Sequence, residues 1–272
     1  MEDQAETGLE DHQEIAAGSK TGGLPVAPSL GIALEAVHAP EQTMLVGRRT
    51  LFLCGLSVVV AAATAIIAHL LVALIGIVTG LAFYGQASTT LISPAGNKLG
   101  WWVVLVPAIG GLIVGVMARY GSAAIRGHGI PEAMEQILRN QSRVAPRLVF
   151  LKPLSSAIAI GTGGPFGAEG PIIATGGALG SVTGQLLRTT AVERKILLAA
   201  GAAAGMSAIF GSPVSAVLLA VELLLFEFRP RSLIPVALAS VTAAGIRYAT
   251  VGSEAVFAMP NLAQPSGEAL AF

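Results

Sequence analysis

Charge is scarce in this 272-residue chain: only 12% of its residues are Asp, Glu, Lys or Arg, against 53% hydrophobic ones. Soluble domains carry about 25% charged residues, so an ordinary water-soluble fold is excluded, as are a disordered chain and a coiled coil. One cysteine, Cys54, is present, which excludes an internal disulfide scaffold and a thiolate metal cluster. It lies inside an apolar run and reads as a packing residue. Also missing are a phosphate loop, paired Cys/His metal spacing and a nucleophile with a convincing base, so no enzyme reading competes and no cofactor is expected. Ser212, next to Pro213, reads instead as a helix start. The bases form no dense cluster of the kind that binds nucleic acid but fall at loop ends.

What the chain does have is long apolar runs. From Leu51 to Gly85 there is no Lys, Arg, Asp or Glu, and a run of that length and composition is a membrane signature. As one helix it would exceed a roughly 30 Å hydrocarbon core, so it must tilt strongly or break near Gly76 and Gly80; a long tilted helix is the preferred reading. Trp101 and Trp102 open the second apolar segment, 101–118, as an interfacial anchor. Beyond Arg119 the apolar segments 127–139, 147–163, 170–187, 196–209, 213–228 and 232–250 are mostly shorter than a full crossing and are bounded by Gly and Pro. Helices that stop inside a bilayer need protein or a wet cavity around their ends, and such breaks mark substrate sites in transport proteins. AAGAAAG at 199–205 and GGALG at 176–180 supply small residues for close helix approach.

The formal net charge is zero, yet it is a cancellation. Residues 1–46 hold eight acids against one base, Lys20, and residues 47–272 hold 15 bases against eight acids. The expected organisation is therefore an acidic, disordered N-terminal tail at 1–46, a membrane body at 47–255 and a short polar tail at 256–272. Arg48 and Arg49 before the first run, against only Lys98 in the following loop, place the N-terminus in the cytoplasm by the positive-inside rule.

Three stretches carry chemistry: GHGIPE at 127–132, GTGGPFGAEGP at 161–171, and GSPVSAVLLAVELLLFEFR at 211–229. In the first, Pro131 and Glu132 suit the opening turn of a helix, because proline needs no amide partner there and an acid complements the dipole. In the second, Glu169-Gly170-Pro171 opens another. Two glycine-fronted helix N-termini within a membrane make an anion site without a fixed cation. Glu169 is the residue singled out by physics: a carboxylate there stands where a permeating anion would stand, and protonating it would free the place. The alternative is an acid that merely stabilises its own helix start. Glu222 and Glu227 flank an apolar run, and an interface with Arg229 and Arg231 serves as well as a functional reading.

These three motifs, in order and spacing, resemble the signature motifs of the CLC family of chloride channels and chloride/proton exchangers, over about residues 50–250. The resemblance implies an all-α polytopic membrane fold corresponding to the first of the family's two inverted repeats, with tilted and broken helices. It implies a monovalent anion, chloride foremost, bound by His128, Gly129, Ile130, Gly167, Ala168 and Gly170, with Glu169 as the gate. It also implies a homodimer in the cell membrane. His128 stands where the family has a serine hydroxyl; its imidazole can donate to an anion but is bulkier and titrates, and the other reading is that it turns aside and leaves the binding to backbone. Ala168 replaces a basic residue. Exchangers often carry two consecutive acids in the third motif; Glu222 matches the first, as a possible proton-pathway residue, while Leu223 falls at the second and cannot relay a proton. The family's later motif and the tyrosine that closes its central site have no counterpart among Tyr84, Tyr120 and Tyr248. The readings that follow are a voltage- or pH-gated anion channel, a chloride/proton antiporter, and a half-protein inactive alone.

Overall fold

A computed structural model describes residues 47–252 apart from His128. The acidic tail 1–46, the polar tail 256–272 and the His128 side chain therefore lie outside the described residues. Eight α-helices follow in order: α1 (Arg48–Tyr84), α2 (Leu105–Tyr120), α3 (Ile130–Arg139), α4 (Leu148–Gly161), α5 (Glu169–Leu186), α6 (Ala191–Phe210), α7 (Pro213–Ala220) and α8 (Pro230–Val251). Short 3₁₀ turns at Pro94–Gly96, Gly100–Val104 and Ala123–Arg126 link them, and α7 runs into a π-helical turn at Val221–Leu225. The fold is helical and polytopic. Among the described residues, α1, the stretch Gly100–Tyr120 and α8 are long and apolar enough to cross a membrane.

The first apolar run is one unbroken helix of 37 residues, about 55 Å at 1.5 Å per residue, so it exceeds the bilayer core without breaking. Gly76 and Gly80 serve a different purpose from the break considered for them. The chain beyond α1 doubles back over them: a Cβ on Gly76 would sit 2.8 Å from the Thr89 carbonyl oxygen, and one on Gly80 would overlap that of Gln86. The helix ends at Gly85, whose φ of 66° supplies the left-handed cap. Trp101 and Trp102 stand outward, 94% and 72% exposed.

The interior forms where α5, α6, α1 and α8 pack together. Gly176 on α5 faces Gly201 on α6, and a Cβ on either would overlap the other's carbonyl oxygen; one helical turn to either side, Gly180 of α5 meets the Leu197 backbone and Gly205 of α6 meets the Ile172 backbone. Backbone therefore meets backbone, which is how helices associate where lipid removes the hydrophobic drive. Thr64 of α1 closes on the same crossing, and Leu71, Ile172, Leu197, Leu198 and Val236 are fully enclosed around it.

Polar bonds fix the register of these helices. A capping box starts α6: Glu193 N–H donates to Thr190 Oγ1 at 3.3 Å and Thr190 N–H to Glu193 Oε2 at 2.9 Å. This box lengthens the helix ahead of the apolar segment at 196. Arg49 Nη2 reaches the same carboxylate at 2.9 Å and joins the start of α1 to that of α6. Arg49 is the main reason that the Glu193 carboxyl is held well below its ordinary range, at about 2. Ser207 and Ser240 share a 2.6 Å bond between α6 and α8, and Ser240 donates to the Pro213 carbonyl at 2.8 Å. Ser212 occupies the N-cap position of α7, but its side chain makes no capping bond.

Candidate anion site

The first motif brings the chain out of the Ala123–Arg126 turn, through Gly127, into α3. Gly129 takes φ 77° and ψ −99°, a region open to glycine, and its carbonyl accepts the first helical bond from Ala133 N–H at 3.0 Å. Pro131 and Glu132 occupy the opening turn as expected. In the second motif α5 begins at Glu169, one residue ahead of the apolar segment, and Ala168 accepts from Ile172 N–H at 3.1 Å. The amides ahead of each first bond stand outside the helical ladder, pointing from the positive end of the helix.

The two helix starts meet. A Cβ on Gly129 would lie 2.8 Å from both the Cα and the carbonyl oxygen of Gly170, so glycine at each position lets one motif's backbone rest on the other's. Each motif also folds its own acid back onto a glycine just ahead of its helix. A Cβ on Gly127 would overlap the Glu132 carboxylate, and one on Gly167 would overlap that of Glu169.

Beside this junction lies a cavity of about 430 Å³, walled by Val114 of α2, the Ile125–Gly127 turn, one face of α4 and residues Pro165–Gly167 and Glu169–Pro171. Its polar lining consists of Arg126, Lys152, Ser155, Ser156 and Glu169. Of the residues expected at the site, Gly167, Glu169 and Gly170 line the cavity and Gly129 backs it through Gly170. Ile130 and Ala168 turn into the apolar core, leaving only their backbones available to the site. Glu222 is placed elsewhere, exposed on the π-helical turn and outside the cavity lining. Glu227 is engaged in structure: Ser232 Oγ donates to it at 2.6 Å, and Lys195 and Arg229 stand 3.7 Å away. Burial raises its carboxyl, but the Ser232 bond and the charges of Lys195, Arg231 and Arg229 together outweigh that and leave it below its ordinary value.

Sequence reasoning passed over Lys152. It sits inside the apolar helix α4, 3% exposed, and its Nζ donates to the carbonyls of Ala124 (3.2 Å), Ile125 (3.1 Å) and Gly127 (2.7 Å) and to Glu132 Oε2 (2.9 Å). One ammonium thus gathers the carbonyls that end the turn and the acid that begins α3, fixing the strand of backbone that delivers Gly129 to Gly170. The signal was available: an ionisable residue in an apolar run is a functional candidate wherever it occurs.

Paired glycine-led helix N-termini beside a polar cavity with one carboxylate, on a helical polytopic fold, define a membrane protein with a candidate anion site. The family model described as voltage gated chloride channel matches residues 110–272, and the chain belongs to that family. Similar curated proteins include a ClcB-like chloride channel protein of Ralstonia nicotianae, 32% identical over 63% of this chain and 41% of its own length. Another is the H(+)/Cl(-) exchange transporter ClcA of Vibrio campbellii, 30% identical over 66% of this chain and 40% of its own. The chain spans somewhat less than half the length of these relatives. The crystal structure of a slow cyanobacterial Cl-/H+ antiporter shares the fold, with a TM-score of 0.61 and 24% identity over 78% of this chain and 49% of that one.

Proposed function

We propose that this chain supplies the anion-binding half of a chloride-conducting membrane protein in which Glu169 is the gate. The observation carrying the reading is the contact of Gly129 with Gly170 beside a cavity that holds Glu169. The two N-terminal helix ends attract an anion without trapping it. Lys152 is balanced by Glu132, so the cavity's remaining formal charges are Arg126 and Glu169. Protonation of Glu169 would make that balance positive by one and release its carboxylate from the backbone beside Gly167, giving an anion both the charge and the room it needs. Gating by pH follows directly, and gating by voltage follows if the carboxylate moves through the membrane field.

The matching relatives include both channels and exchangers. Passive conduction is favoured here because Leu223 stands at the second acid position and Glu222 lies away from the cavity. Exchange is the second reading, supported by the name of the Vibrio relative. A homodimer in the cell membrane with a cytoplasmic N-terminus completes the proposal. Binding can be tested without transport by titrating purified protein with chloride calorimetrically. Heat that saturates in the wild type and is lost in Gly129→Ala supports the site, whereas identical isotherms reject it. In vesicles, uphill proton movement driven by a chloride gradient would decide for exchange, and a flat proton signal during chloride flux for conduction.

A further inference from the structure

Away from the cavity, three non-glycine residues are held in the left-handed backbone region around a single spot: Gln141 (φ 50°), Ser142 (φ 59°) and Arg188 (φ 51°). Such backbone persists only where its surroundings over-determine it, and here they do. Ser181 Oγ donates to the Ser142 carbonyl at 2.6 Å and accepts from Val144 N–H at 3.0 Å, while Gln185 Nε2 donates to the Val144 carbonyl at 2.8 Å. The α3–α4 linker is thereby stapled to the last turns of α5.

The staple gathers arginines. Arg194 at the start of α6 is 5% exposed and gives its Nε to the Gln141 carbonyl at 3.0 Å and its Nη1 to that of Thr189 at 3.5 Å. Those partners are neutral, so its charge is not cancelled. Arg143 is close enough for its like charge to act on Arg194, and Arg188 immediately precedes Thr189. Both are exposed. Among the described residues, the ion pairs involve other bases and none of these three. Beside them the end of α5 presents Leu186 and Leu187, 78% and 48% exposed. Guanidinium groups without carboxylates, next to an apolar edge on a membrane-embedded bundle, match a charged phosphate with hydrocarbon attached.

We propose that Arg143, Arg188 and Arg194 form a binding site for the phosphate of an anionic phospholipid headgroup, with Leu186 and Leu187 against its acyl chains. The site is separate from the anion cavity, and its test needs no transport. The purified 272-residue chain in neutral detergent is titrated with phosphatidylglycerol, with phosphatidylcholine of the same acyl chains, and with inorganic phosphate, and bound lipid is read by native mass spectrometry. Phosphatidylglycerol should bind in preference to phosphatidylcholine, and Arg143→Gln/Arg188→Gln should weaken it about 30-fold, equivalent to about 1 kcal/mol per base removed. Arg143→Lys/Arg188→Lys keeps the charge and should stay within about fivefold of wild type. Equal binding of the two lipids, which needs no variant to observe, would overturn the proposal. So would undiminished affinity in the glutamine variant, or inorganic phosphate displacing the lipid at equal concentration.

Discussion

Replacing Lys152 by methionine keeps the length and packing of the side chain and removes only its charge and donors. Four acceptors then lose its ammonium at once: the carbonyls of Ala124, Ile125 and Gly127 and the Glu132 carboxylate, at 2.7–3.2 Å in the wild type, the Ala124 carbonyl keeping the Gly127 N–H at 3.3 Å. The Glu132 side chain is 12% exposed, so water does not readily replace what is lost. Removing one partner of a buried pair costs about 3–5 kcal/mol, chiefly because the other charge is stranded. At about 2–4 °C per kcal/mol for a domain of this size, the unfolding midpoint in detergent should fall by roughly 6–20 °C. Adding Glu132→Gln removes the stranded charge, and the double variant should recover part of that loss while the Ile125 and Gly127 carbonyls still lack the ammonium donor. Tryptophan fluorescence against temperature reads both. A drop of less than 2 °C in Lys152→Met, or a double variant less stable than the single one, would refute the idea that this ammonium holds the first motif in place.

Gly129→Ala places a Cβ 2.8 Å from Gly170 in a backbone conformation with φ 77°; it should cost about 1–3 kcal/mol from conformation alone and separate the two helix starts, read as a lowered midpoint. Gly201→Val inserts a branched side chain where α6 backbone meets Gly176, so overpacking of about 1–3 kcal/mol should appear in thermal unfolding; an unchanged midpoint would count against the close α5–α6 crossing. Glu193 has an ordinary carboxyl value of 4.5 and a folded value of about 2. Its stabilising contribution is therefore full above 4.5 and lost as pH falls from there towards 2. The midpoint difference between wild type and Arg49→Gln should accordingly be largest above pH 4.5 and close on acidification, whereas a difference constant down to pH 2 would break the assignment.

How much of this was readable from residues alone differs by feature. Helix positions from Leu148 onward follow the apolar segments, because Gly and Pro punctuate them and membrane helices leave little room for other outcomes. The contact of Gly129 with Gly170 was legible only as two similar motifs; that they touch depends on how α3 and α5 dock. Gly76 and Gly80 were considered as helix breaks because their neighbours in space, Thr89 and Gln86, come from a loop whose return path has no sequence signature. Lys152 was hidden for a similar reason: its four partners lie 20 to 28 residues away in the chain. The exposure of Glu222 follows from the direction in which the π-helical turn points it, and such a turn has no pattern that composition reveals.

The central claim is that an anion passes the junction of the two helix starts under the control of Glu169. Chloride efflux from proteoliposomes, measured with a chloride electrode between pH 4.5 and 7.5 for wild type and Glu169→Ala, tests it most directly. A flux that rises with acidity in the wild type and becomes fast and independent of pH in Glu169→Ala is predicted. A variant whose flux and pH response match the wild type would contradict the account.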